Sequence, residues 1–351
     1  MKAFPVRTHA DLRDFCELPL RLHPRDRYVP LPVPVIKRHG KTASLYVVRD
    51  ARGRAVGRTS THRDATFGSC QLFGHTEFTD DDAVFAALTG VVAGAAEGRP
   101  LFGPVALLPN QTGGVITSGF TERGFVDSAW NPAYYPAMYE RHGFTRRFEA
   151  DTWAVDVPGS AAAYDFDDSR LGAEQLVVRH GSRRGLRRRL PILRAMLNAS
   201  FAGLGYYTEI SAGQLAEQTD GLAYLLDEGL LVWLEKAGRP VAFVVAVPDI
   251  SEFLMRTGGR LGPVEQLRLL ATRSRYRRDA VLVVKGTVPD EQGRGYMTLL
   301  SREVHRHLEA SGYRTLRSTF VERENTASAA SYRRAGGKPL HGYTFYQRSA
   351  A

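Results

Sequence analysis

Cysteine is scarce in this sequence, with two among 351 residues, and Cys16 and Cys70 lie far apart. That rules out a disulfide framework, and neither residue has the paired spacing of a zinc site. Each is expected as a small buried apolar group. Long apolar runs are also missing: no stretch approaches the ~20 residues of a membrane-spanning helix. The opening segment, Met1 to Phe15, carries Asp11 and Asp14 and lacks the apolar centre of a signal peptide. A cytoplasmic protein is expected, with no membrane partner. Lysine is the third shortage. Nearly all of the 47 basic residues are arginine, and against 37 acidic residues they leave a net charge of +10. Two clusters stand out, Arg179, Arg183, Arg184, Arg187, Arg188 and Arg189, then Arg268, Arg273, Arg275, Arg277 and Arg278. They read either as solvated helix faces or as a footprint for tRNA, an acidic carrier protein or an acidic substrate. No aromatic residue interleaves the first cluster, as a stacking platform for single strands requires.

With 43% apolar and 24% charged residues, the chain has the composition of a globular protein, and its length is about twice that of a common domain. The stretch from Val281 to Gly336 organises the rest. Val281 to Val284 form a short apolar run that leads through Thr287-Val288-Pro289 into Asp290-Glu-Gln292-Gly293-Arg294-Gly295-Tyr296. That pattern predicts a strand and then a glycine turn. Met297, Leu299, Leu300, Val304 and Leu308 follow at helical spacing and stop at Ser311-Gly312, where a C-cap glycine belongs. The first-turn amides of a helix have no intrahelical acceptor and the helix dipole favours negative charge, so such a loop suits a phosphate or pyrophosphate. A second strand, Tyr313 to Val321, leads to Asn325 and a helix carrying Tyr332, closed by Gly336-Gly337.

These residues resemble the GNAT acyltransferases. Gln292 to Gly295 is similar to motif A, whose signature is Gln/Arg-x-x-Gly-x-Gly/Ala, with Met297 at the last small position. Asn325, Tyr332 and Gly336 resemble motif B. The resemblance implies an acyl-CoA cosubstrate, acetyl-CoA or another, and no metal. Its pyrophosphate would lie on the amides of Gln292, Gly293, Arg294, Gly295 and Tyr296, and its pantetheine arm along Thr287 and Val288 beside Asn325. It also implies direct attack of an amine of a small molecule or peptide on the thioester in a ternary complex, a strand amide for the oxyanion, and Tyr332 as the acid that protonates the thiolate. For the base, Asp249, Glu252 and Glu322 are candidates at strand ends.

The first half repeats part of this order. Asn131 to Phe144, with Tyr139 four residues before Gly143, matches Asn325 to Gly336 with one residue inserted, and a β-rich tail follows each. Trp130, Tyr134, Tyr135 and Tyr139 either line a cleft or pack in the core. Upstream, hairpin strands Leu45 to Val48 and Ala55 to Gly57 and a strand near Cys70 precede a helix from Asp80 to Gly98. Glu77 and Asp80-Asp81-Asp82 stand where a phosphate would sit, and carboxylates there repel an anion. The expectation is an α/β (α+β mixed sheet) protein of two tandem GNAT-like domains, each a mixed, mostly antiparallel sheet flanked by helices. Residues 1–157 would be a degenerate copy and 158–351 the acyl-CoA-binding one, joined near Pro158-Gly-Ser-Ala-Ala-Ala163. The function expected is N-acyl transfer, acetyl by default. A tandem-GNAT aminoacyl transferase using charged tRNA and a catalytically silent binding module are the alternatives.

Overall fold

The structure, a computed structural model, describes residues 1–350 apart from 66, 108–112, 183–184, 204–206, 208 and 220–226. The described elements run β1 Ala3–Pro5, α1 His9–Leu22, α2 Val33–His39, β2 Ser44–Arg49, β3 Ala55–His62, β4 Gln71–Phe78, α3 Asp82–Ala96, β5 Leu101–Gly103, β6 Val115–Ser118, α4 Tyr134–Arg141 and β7 Thr145–Asp156. Then come α5 Ser169–Ala173, β8 Leu176–His180, α6 Leu186–Phe201, α7 Ala212–Thr219, β9 Leu231–Lys236, β10 Arg239–Pro248, α8 Ser251–Thr257 and α9 Pro263–Ala271. The last part holds β11 Asp279–Thr287, α10 Tyr296–Ala310, β12 Thr315–Ser318, β13 Val321–Glu322, α11 Thr326–Arg334 and β14 Lys338–Arg348.

These elements form two compact units. The first is Met1–Asp151 with Ile250–Leu267 and His341–Ala351, and the second is Thr152–Asp249 with Arg268–Leu340. A single division at 157/158 leaves Ile250–Leu267 and His341–Ala351 with the second domain, whereas both pieces belong to the first unit. Strand pairing accounts for the second of them, because Tyr346, Gln347 and Arg348 of β14 pair with Gly103, Phe102 and Leu101. The segment Pro158 to Ala163, read as a linker from its small residues, is packed. Ser160 is buried, its hydroxyl bonds the Val157 carbonyl and meets His305 Nδ1 at 2.5 Å, and Ala161 donates to Glu309.

In the first unit the strand order is β1-β2-β3-β4-β5-β14, with β6 also on β14. Among the described residues only β4 and β5 run parallel there, at Gln71↔Leu101 and Leu72↔Phe102. Val84, Phe85, Leu88 and Val92 of α3 are spaced on one helical face, and they pack with Phe73, Phe78, Tyr135, Tyr139, Phe144 and Tyr346. In the second unit the order is β7-β12-β11-β10-β9-β8, with β11 and β12 the parallel pair. Leu299, Leu300, Val304 and Leu308 of α10 pack with Leu234, Val241, Phe243, Trp153 and Tyr332. The helical repeat after the glycine turn is therefore the buried stripe of α10.

The match of Asn131 to Asn325 does not extend to helix capping. Asn131 does not cap its helix: α4 begins at Tyr134, and Pro132 disfavours helical conformation at the residue before it. The Asn131 amide instead accepts from Ile116 N at 2.7 Å and donates to the Ile116 carbonyl at 3.2 Å. The proline-rich stretch Pro24 to Pro34 runs into a helix, since Pro34 lies in the first turn of α2, where a proline costs no helical hydrogen bond.

Candidate functional site

The second unit has an opening where its two parallel strands part. β11 pairs with β12 from Asp279↔Thr315 to Leu282↔Ser318, and the pairing stops there. At that point β11 carries a bulge: Val245 faces Val284 and Ala246 faces Leu282, so Val283 has no partner on β10. Thr319 takes both nearby carbonyls, its amide donating to Leu282 at 3.0 Å and its hydroxyl to Val283 at 2.8 Å. Beyond the bulge β11 runs on without β12. The Val288 amide donates to Val241 of the β10 side at 2.9 Å, so by the two-residue alternation of a strand Gly286 and Val284 also face β10. The backbone groups of Lys285 and Thr287 then point the other way, to the free edge.

The chain leaves this edge through the glycine loop. Gln292 Nε2 donates to the Thr287 carbonyl at 3.2 Å and fastens the loop to the strand. Gly293 and Gly295 take φ of 75° and 78°, which a side chain at Cβ disfavours, and a Cβ at Gly293 would meet nothing within 4 Å. Gly295 is the N-cap of α10 and no side chain caps that helix, so its first-turn amides have no capping acceptor. Around them Arg170 Nη2 donates to the Arg294 carbonyl at 3.1 Å. Lys236 pairs with Glu291 at 3.0 Å and Arg294 with the same carboxylate at 2.9 Å. Hydrogen bonding to Lys236 comes first among the effects that hold Glu291 below the ordinary carboxylate range. Tyr296 turns inward, its hydroxyl on Glu174 at 2.5 Å. Val288 has both backbone groups engaged, its carbonyl accepting from Glu291 N, so only its side chain is available to a ligand.

At the parting itself sit two side chains. Tyr332 of α11 is buried, stacks on Trp153 with ring centroids 5.9 Å apart, and hydrogen-bonds with Ser318, the last residue of β12. Burial pushes its phenol well up, so it stays protonated. Lys285 of β11 places Nζ 4.1 Å from the centroid of the Tyr332 ring. No carboxylate lies within ion-pair distance of Lys285 among the described residues, and burial lowers its ammonium to about 8. Asn325 caps α11, its Oδ1 accepting from Ser328 N at 3.0 Å, which aims the helix that carries Tyr332.

Two of the three carboxylates considered as bases are paired with arginines. Asp249 is buried with Arg317 at 3.3 Å, and Glu252 is on α8 of the first unit beside Arg256. Glu322 is half-buried, and burial raises its pKa. Lys285 was not singled out from the sequence, although it is one of six lysines in the chain and follows four apolar residues directly. The bulge at Val283 leaves no mark in the sequence. Of the arginine clusters, Arg179 pairs with Glu235 and Arg189 lies over Trp233, while Arg183 and Arg184 fall outside the described residues. Arg268, Arg273, Arg275 and Arg278 are exposed.

The first unit repeats the strand geometry and changes the chemistry. β4 leaves β5 after Leu72 and also bulges, since Ser60 faces Gly74 and Arg58 faces Glu77, leaving His75 and Thr76 opposite Thr59 alone. At the following helix Asp81 caps α3, and its carboxylate accepts from Ala83 N at 2.8 Å and Val84 N at 3.3 Å. The chain's own anion occupies the place that Gly293 to Gly295 leave open in the second unit.

No family model matches the chain. Protein YghO of Escherichia coli is 24% identical over 282 residues, which are 74% of this chain and 71% of that protein. The bacterial ceramide synthase of Caulobacter vibrioides is 23% identical over 374 residues, 99% of this chain and 97% of that protein. Among solved structures, a tandem GNAT protein from the clavulanic acid biosynthesis pathway superposes with a TM-score of 0.61 at 11% identity, covering 100% of this chain and 98% of that one. That likeness spans both units: the chain has the fold of the tandem GNAT proteins.

Proposed function

We propose that the second unit transfers an acyl group from an acyl-CoA to an amine, and that the acceptor is a long-chain amine. The observation that carries the reading is the free edge of β11, which runs from Lys285 and Tyr332 at one end to an uncapped helix N-terminus at the other. Amides at that N-terminus suit a pyrophosphate, and the outward groups of Lys285 with the outward amide of Thr287, whose carbonyl holds Gln292, suit the amides of a pantetheine arm. The thioester then lies at the bulge, near Lys285 and Tyr332. Neutral Lys285 takes a proton from the acceptor's ammonium, and the free amine attacks the thioester carbon. As the C–S bond breaks, Tyr332 gives its proton to the thiolate and recovers one from the new amide nitrogen. Ammonium plus thioester becomes amide, thiol and one proton held by Lys285 and passed to solvent.

The acceptor class rests on the end-to-end similarity to a protein named a bacterial ceramide synthase. A ceramide is a fatty amide of a long-chain amino alcohol, so both an amine acceptor and a fatty acyl donor fit the reading. The test is mass spectrometry of product with thiol release, using palmitoyl-CoA or acetyl-CoA against sphinganine, dodecylamine and a short peptide. The reading expects an N-palmitoyl product of a long-chain amine. Thiol release with the peptide alone would reject the lipid acceptor, and release with none would reject acyl-CoA chemistry.

A further inference from the structure

The second arginine cluster of the sequence, Arg268 to Arg278, has no place in the acyl-transfer site, and it begins on α9. An ordinary surface helix turns its apolar stripe to the core and its polar side to water. Helix α9 turns an apolar side to water. The helical repeat puts Val264, Leu267 and Ala271 within about 60° of arc. All three are exposed, Val264 at 66% and Leu267 at 67%. These are the two most exposed of the five large apolar side chains that lie open among the described residues. Buried Leu269 anchors the helix from its other side, and buried Tyr276 anchors the turn that follows. Arg268, about 40° round from Val264, borders the apolar arc. Directly after the helix Arg273, Arg275 and Arg278 are exposed as well, and none of these four arginines makes an ion pair among the described residues. The carboxylates close by in sequence are engaged: Glu265 accepts from Gly262 N at 3.0 Å, and Asp279 pairs with Arg317 at 2.9 Å. The open apolar arc is therefore bordered by positive charge that nothing in the chain offsets. A second copy would bring like charges to this face, whereas a bilayer with anionic headgroups answers both features at once.

We propose that α9 lies flat on an anionic membrane surface, with Val264, Leu267 and Ala271 in the headgroup boundary and Arg268, Arg273, Arg275 and Arg278 on lipid phosphates. No described helix is long and apolar enough to cross a membrane. That lack, which led to the expectation of no membrane partner, does not bear on a helix that lies in the surface. As the source of a long-chain acceptor the surface rests on the reading above, but the docking is tested without acyl-CoA. Full-length protein is sedimented with vesicles of phosphatidylcholine alone and of phosphatidylcholine with phosphatidylglycerol. Partition is expected to be at least tenfold stronger into the anionic vesicles and to weaken as salt is added. Val264→Asp with Leu267→Asp is expected to lower it at least tenfold, with the fold intact by circular dichroism because both side chains are open to solvent. Arg273→Gln with Arg275→Gln is expected to lower it at least threefold on the anionic vesicles alone. Equal partition into both vesicles, no sedimentation with either, or undiminished partition of the double-aspartate variant would overturn the proposal. So would a wild-type dimer that the same variant splits, read by light scattering, because the face would then belong to a second copy. Docking without thiol release would sink the acyl-transfer reading alone, and thiol release without docking would sink this one.

Discussion

The two units build the same opening and fill it differently. In each, a parallel pair parts after a few residues, the longer strand bulges at the parting, and a helix follows. In the second unit that helix starts at Gly295 with no side-chain cap, and in the first it starts at Asp81, whose carboxylate caps it. In the second the parting holds a lysine with no carboxylate partner among the described residues and a protonated tyrosine; in the first it holds Glu77 with His23, Tyr135 and Arg58. Backbone geometry sets where a ligand can lie, and a handful of side chains decides its charge. The helix N-terminus that suits an anion stays uncapped in one unit, and in the other Asp81 fills the same place.

The largest effect is expected from Gly295→Glu, which puts a side chain at φ 78° and a negative charge at the phosphate seat. Acyl-CoA affinity should fall at least a hundredfold in a folded protein, as calorimetry reads it. Unchanged affinity would move the site elsewhere. Tyr332→Phe keeps the ring on Trp153 and removes the acid, so turnover should fall by ~10²–10⁴ with acyl-CoA affinity intact. Full turnover with chemistry rate-limiting would make the tyrosine structural.

A smaller change should come from Lys285, and it is specific to pH. The base works when neutral, so the rate should rise with pH through about 8 and level above it. Lys285→Arg stays charged throughout, so that limb should vanish and leave only the acceptor's own titration. If the limb near 8 persists in the variant, Lys285 is not the base. The smallest effect is in the first unit. Asp81→Ala removes the cap on α3 and should cost about 1 kcal/mol in denaturant unfolding without creating an acyl-CoA site.

The strand, glycine turn and helix of the second unit were readable because each is local: an apolar run, two glycines and a helical repeat ending at Gly312. The acidic run at Asp80 to Asp82 was readable for the same reason, and Asp81 fills the place it was expected to block. Long-range pairing was not. That β14 belongs to the first unit, that Val283 is squeezed out of register, and that Lys285 meets Tyr332 all depend on residues distant in sequence. Asn131 shows the limit of a repeat read from letters. It matches Asn325 in order, yet with Pro132 after it its amide braces β6 while Asn325 caps a helix.

The central claim is that the second unit alone holds the acyl donor. Calorimetric titration of the full chain with a non-hydrolysable acyl-CoA analogue tests it most directly, beside Gly295→Glu and Asp81→Ala. One site per chain, lost in Gly295→Glu and kept in Asp81→Ala, is the predicted result. Two sites, or one that survives Gly295→Glu, would contradict it.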